Sequence, residues 1–263
     1  MGNGQRHVVL PHARLGGMHP VVLRDPTADD AHALLAGAQT NWTRRVPHCP
    51  GWDTAELVRH TGGILAWMAA IVTTRERVAR RTLDPAPEDP IDLPSWCSSH
   101  LDQTLAILYD ADPCSETWTF STRGDRHVAW WRRRLAVEVA IHRWDVQHAV
   151  AIDGGPAPAP LDGDIAAAGI EEFVTEFLPG LLAQDSIEGL GGTLSLHATD
   201  VPVEWRTDLD PHTEAIPRNA KADTTVRGTR SDLLLWLTNR GTPDVLAVSG
   251  RADLLERWVQ LRR

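Results

Sequence analysis

Long apolar runs are missing from this 263-residue chain, and no stretch approaches the roughly 20 apolar residues that a membrane span needs. Residues 1 to 25 carry His, Pro, Gly and Arg throughout and lack the apolar core of a signal peptide. Cysteine is scarce. Cys49, Cys97 and Cys114 form neither a CxxC pair nor a secretory disulfide pattern, so a reducing cytoplasm is the expected home. Basic charge is in deficit, with 26 Lys and Arg against 35 Asp and Glu. The net charge of -9 argues against a nucleic-acid partner, which needs a basic stripe facing phosphates. The local runs Arg75 to Arg81 and Arg132 to Arg134 read as solvated helix faces. Tyrosine and phenylalanine are rare too, at one and three residues, whereas tryptophan reaches eleven. Core packing accounts for most of these indoles, and some can line a ligand cleft.

What is present divides the chain in two. Helical periodicity predicts helices over 28–44, 53–78, 95–109 and 127–151, with Asp53 and Ser95 as N-caps. Four helices joined by short and medium links suggest a bundle, the kind of fold that builds metal sites from facing helices. The stretch Asp84-Pro-Ala-Pro-Glu-Asp-Pro90 must be a connection. Asp153-Gly-Gly-Pro-Ala-Pro-Ala-Pro160 reads as a semi-stiff linker. Beyond it, 161–182 looks helical. Period-two alternation marks strands at 192–199, 201–207 and 224–228, and helices near 230–239 and 251–261 bracket a short strand at 245–249. The expected order is an N-terminal extension (1–26), a helical bundle (27–152), a linker (153–160) and a smaller α+β domain (161–263).

Glu138 and His142 stand four residues apart in Glu138-Val-Ala-Ile-His142-Arg-Trp-Asp145, so they project from one helix face and can close on one metal ion. A second imidazole is the expected partner. His60 lies on the apolar stripe Leu57, His60, Ile64, Trp67, Ile71 and therefore faces inward. Inward polar groups of this kind need neutralisation, a cationic partner or a metal. Arg134 or Arg143 are the alternative partners for Glu138, and Asp145 can orient His142 through its second ring nitrogen. Each residue also has a plainer reading: a hydrogen-bonded core histidine, a chance Glu/His pair, a surface aspartate. Cys49, in a Pro-Gly turn, reads as packing at the helix entrance, and His148 as a helix-end polar residue.

Three strings carry a family resemblance. Cys49-Pro-Gly-Trp52-Asp53 leading into the helix of His60 resembles the opening motif of the mycothiol-dependent maleylpyruvate isomerase family. Arg134-Leu-Ala-Val-Glu138-Val-Ala-Ile-His142-Arg-Trp-Asp145 is similar to its second metal segment, and residues from Leu196 to Gly241 resemble its second domain. Val137 departs from the pattern, since many members carry histidine before the metal glutamate.

The resemblance implies a DinB-like metal-binding bundle with a sterol-carrier-like C-terminal domain. It makes His60, Glu138 and His142 zinc ligands and gives Arg240 a catalytic, substrate-supporting role; the plainer reading of Arg240 is a helix-terminal cation. Trp67 is placed with Arg240 against the cosubstrate. That cosubstrate is mycothiol, the low-molecular-weight thiol of actinobacteria, and the second partner is a small electrophile. A cleft between bundle and second domain is the expected pocket. The reaction is thiol S-transfer or cis-trans isomerisation. A carrier protein without chemistry, a metal-dependent hydrolase and a module with a relict site are the competing classes.

Overall fold

The computed structural model describes residues 23–183, 191–209, 221–251, 253, 254 and 258. Among them the division into two compact units falls between Ile165 and Ala166. No helix among the described residues is long and apolar enough to cross a membrane. The expected extension at 1–26 lies outside the described residues as far as residue 22, and the helix expected at 251–261 lies largely outside them.

The first unit holds four long helices: α1 (Arg24–Ala38), α2 (Thr54–Thr74), α3 (Leu93–Asp110) and α4 (Val128–Ile152). α1 packs along α4, and α2 along α3. Their shared core includes Leu34, Leu57, Leu65, Ile71, Leu101, Leu108, Trp131 and Val139. The packing of α3 on α2 needs Gly62, where an added Cβ would stand 2.1 Å from the Trp96 ring. Thr104 reinforces the pair by donating to the Leu65 carbonyl at 2.9 Å.

Helix ends are set by single side chains. Asp53 caps α2 as expected, accepting from the Glu56 amide at 2.9 Å. Ser95 does not cap α3. That helix begins at Leu93 with Pro94 in its first turn, where a missing N–H costs nothing, and Ser95 donates to the Asp92 carbonyl instead. α1 spans 24–38 rather than 28–44, because the Asn41 side chain accepts from the Thr43 amide and hydroxyl and so closes a turn.

The basic run on α4 is also not a solvated face. Arg132 is only 4% exposed and donates to the carbonyls of Leu108 (2.8 Å) and Ala111 (2.7 Å), the bare C-terminal acceptors of α3. Arg133 remains at the surface, paired with Asp125. Residues 75–81 follow the end of α2 at Thr74, so those arginines, though exposed as expected, sit on the connection after the helix, with Arg80 and Arg81 in a single 3-10 turn. The proline linker lies against α4: Arg143 donates to the Ala159 and Pro160 carbonyls, and Gln147 accepts from the Ala159 amide.

The second unit carries all but the first turn of α5 (Gly163–Glu172), a π-helical turn at Phe173–Phe177, α6 (Leu178–Leu182), and strands β1 (Thr193–Ala198), β2 (Glu204–Asp208), β3 (Thr224–Gly228) and β4 (Ala247–Gly250). The strands form one sheet in the order β2-β1-β3-β4. β1 is antiparallel to β2, with Leu196 opposite Trp205, and parallel to β3, with Leu196 beside Val226. α7 (Arg230–Leu237) lies on β3, capped by the Thr229 hydroxyl. Trp236 stacks on Trp258 at 5.3 Å. The fold is α+β, a helical N-terminal part followed by a small four-stranded sheet.

Candidate metal centre

His60 from α2 meets Glu138 and His142 from α4. His60 Nε2 stands 2.9 Å from Glu138 Oε1, and His142 Nε2 stands 3.3 Å from the same oxygen. The three donor atoms all lie within 4.8 Å of one another. Ligands of a tetrahedral zinc, each about 2.0–2.1 Å from the ion, sit roughly 3.3 Å apart, so the cluster has the right size and the right nitrogen and oxygen donors for a divalent ion. Glu138 and His142 are buried, while the His60 side chain keeps 23% of its surface exposed. The open side of the cluster is therefore at His60.

Arg134, one turn before Glu138 on α4, pairs with Oε2, leaving Oε1 to the two imidazoles. Arg143 is used elsewhere, on Asp30 of α1. Burial by itself would raise the Glu138 carboxyl. The Arg134 charge and hydrogen bonds from His142 and His60 outweigh it and hold the group well below the usual carboxylate range. Burial likewise would depress His142, but hydrogen bonds to Asp145, Cys49 and Glu138 hold it well above an ordinary imidazole. Both of its nitrogens face acceptors, and only the imidazolium donates from both.

Asp145 is fully buried and accepts from His142 Nδ1 at 2.9 Å. That bond turns Nε2 toward Glu138. Cys49 donates to the same Asp145 oxygen, Sγ to Oδ2 3.7 Å, so the thiol supports the carboxylate that orients the imidazole. Cys49, His142 and Asp145 form a second metal-sized group, on the Nδ1 side of the ring. The turn at 49–52 makes this possible: Trp52 N–H donates to the Cys49 carbonyl at 3.0 Å, with Pro50 next and Gly51 at φ +86°, a type II turn that requires glycine there. It also lays Trp52 against His60, ring centres 4.7 Å apart. Reading the string found its turn residues but not the contacts of Cys49 and Trp52. Their only signal was the Cys-Pro-Gly-Trp spacing ahead of the helix. Cys97 is inert by contrast, its thiol pushed up to about 12 by burial.

The remaining expected site residues are each placed by their own element. Trp67 is two turns along α2 from His60, its indole N–H on the Val78 carbonyl at 2.8 Å and its ring edge-on to Trp131 and Trp118. Arg240 belongs to the second unit, just past α7. Its amide donates to the Leu235 carbonyl and its guanidinium to the Thr238 carbonyl at 2.7 Å. His148 hydrogen-bonds His48 at 3.1 Å and stacks on Trp144.

Comparison with curated proteins finds no match. Two solved structures resemble the fold: the mycothiol-dependent maleylpyruvate isomerase and its histidine-to-alanine mutant. They are 14% and 13% identical, each at a TM-score of 0.60, covering 89% of this chain and 94% of theirs. Residues 25–147 match the profile of the mycothiol maleylpyruvate isomerase N-terminal domain, and residues 164–257 that of the same family's C-terminal domain. With both domains matched in order over most of its length, the chain belongs to the mycothiol maleylpyruvate isomerase family of enzymes.

Proposed function

We propose that His60, Glu138 and His142 hold a zinc ion, and that the enzyme uses it to present mycothiol as a thiolate to a small electrophile. The observation that carries this reading is the convergence of two imidazoles and one carboxylate from separate helices, with the His60 side left open. A zinc ion held by these three residues would lower the pKa of an incoming thiol and so supply the nucleophilic thiolate near neutral pH. The protein's own groups set the conditions: Arg134 balances the second oxygen of Glu138, Asp145 fixes the ring of His142, and Trp52 shields one face of His60. Sulfur adds to an electron-poor double-bond carbon, and the electron pair moves onto the conjugated carbonyl as an enolate. Rotation and departure of the thiolate give an isomer; protonation at carbon gives a thiol adduct. Arg240 is assigned to the substrate's carboxylate or to that enolate on the family resemblance. Trp67 is assigned to the thiol cosubstrate, and the setting is cytoplasmic.

Incubating the protein with mycothiol and a panel of electrophiles, followed by mass spectrometry, tests the reading. A thiol adduct identifies a transferase and an isomer of unchanged mass an isomerase; neither product across the panel sinks the proposal. One observation favours the rival reading of a relict structural site: Arg134 and the two histidines already satisfy Glu138 without any metal. Metal content after purification without added zinc separates the two.

Two further results follow from the geometry. Metal binding needs a neutral His142, and that ring is held protonated well above its ordinary range in the metal-free cluster. Loading should release about one proton per zinc near neutral pH and weaken as pH falls. Titration calorimetry in buffers of different ionisation enthalpy reads this directly, and pH-independent uptake would contradict it. Asp145→Asn keeps the size of the side chain while removing its charge. Metal affinity should drop about ten- to a hundredfold, by analogy with other lost outer partners of a ligating histidine. An unchanged affinity, measured against a competing chelator, would free Asp145 of any role.

A further inference from the structure

Beyond the metal centre, the first unit carries a cleft of about 450 Å³ where the chain leaves α2. Trp67, Trp118 and Phe120 supply its flat walls, and Arg77, Val78 and Arg80 its rim. The bond from the Trp67 indole to Val78 fixes that ring, and Trp118 meets it edge-on, 6.2 Å between centres. Arg80 lies over the Trp67 ring at 4.7 Å and Arg77 over Trp118 at 5.8 Å. Neither guanidinium has a carboxylate partner among the described residues, in a chain whose net charge is -9. Indole faces with guanidinium donors beside them suit a body that offers flat C–H surface and several oxygen acceptors.

The cleft and the metal centre lie on one face of α2. His60, Gly63 and Trp67 are spaced three and four residues apart, and all three are half-buried. A Cβ built on Gly63 meets nothing within 4 Å, so the helix surface between the two larger side chains is bare. Across from it, Trp131 packs on Trp67 while Glu138 meets His60, which sets the same two-turn interval on α4, with Arg134 between. Two turns of helix are about 10 Å. A cysteine-sized thiol with its sulfur at His60 ends well short of Trp67.

We propose that this cleft seats the oxygen-rich body of the thiol cosubstrate, its sulfur at the His60 end and its chain crossing Gly63 to Trp67 and the two arginines. The proposal rests on the thiol reading above and adds to it the subsite that distinguishes a long thiol from a short one. Gly63 is the gate: any larger side chain there stands in the path.

The test is calorimetric binding of mycothiol and, separately, of N-acetylcysteine to the zinc-loaded full chain. The wild type should bind mycothiol at least about tenfold more tightly than N-acetylcysteine. Gly63→Leu, which fills open space on a helix, should remove most of that advantage with zinc content and N-acetylcysteine affinity unchanged. The Arg77→Ala, Arg80→Ala double variant, altered only at exposed positions, should lose about three- to tenfold toward mycothiol alone. Equal affinity of the wild type for both thiols overturns the subsite, as does unaltered mycothiol binding in both variants or a parallel loss for both thiols. Failure of the zinc-loaded wild type to bind either thiol overturns the thiol reading itself, and the subsite falls with it.

Discussion

His60→Ala should yield a folded protein that no longer retains zinc and forms neither adduct nor isomer with mycothiol. Removing one of three donors takes away a bond to the ion itself, so the loss of affinity should exceed the ten- to hundredfold typical of an outer partner. His60 is the cleanest of the three to remove. It is the most exposed, and without it Glu138 still has Arg134 and His142, while His142 still has Asp145. The fold should therefore change by no more than about 1 kcal/mol. Glu138→Ala is a poorer probe, because it removes a buried carboxylate that Arg134, His60 and His142 all engage, so a change in fold would be mixed with the loss of a metal donor. Metal analysis, circular dichroism and the mass-spectrometric assay answer the question together. A His60→Ala protein that keeps both zinc and product formation ends the assignment.

Trp131→Ala carries the largest expected cost in stability. Its indole is wholly buried, donates to the Trp118 carbonyl at 2.8 Å and touches the rings of Trp67, Trp118, Phe120 and Trp130. Truncating a buried tryptophan costs about 3–5 kcal/mol, against a total of about 5–15 kcal/mol for a typical fold. The edge-on ring contacts, about 0.5–1.5 kcal/mol each, and a stranded carbonyl place this site at the upper end. Ile91→Ala is the natural control, since Ile91 is 76% exposed and should change nothing measurable. Denaturant titration followed by circular dichroism compares the two. A loss below about 1 kcal/mol for Trp131→Ala would mean that the aromatic cluster is ornament rather than core.

Several particulars were legible before any coordinates. Three- and four-residue apolar spacing located α2 and α4, and the four-residue interval put Glu138 and His142 on one face. Asp53 before a helical run announced its cap. Ser95 misled because Pro94 and Leu93 also tolerate a first turn, and one residue's propensity does not decide where helix begins. The triplet Arg132-Arg-Arg134 looked uniform as a string, yet its members serve a helix end, a surface pair and the carboxylate of Glu138. Successive helical residues point about 100° apart, so neighbours in sequence meet different surroundings.

Local periodicity and turn chemistry by themselves determined which segments are helix or strand, which helix faces turn inward, and that a carboxylate and an imidazole share one of them. Only the packing of helices decided that His60, 78 residues from Glu138, completes the cluster, that Arg134 rather than Arg143 balances it, and that Cys49 reaches Asp145. The reason is one of range. Backbone hydrogen bonding and side-chain period act within a few residues, whereas a charge chooses its partner by distances of a few ångströms, set by the rotation and offset of whole helices against one another.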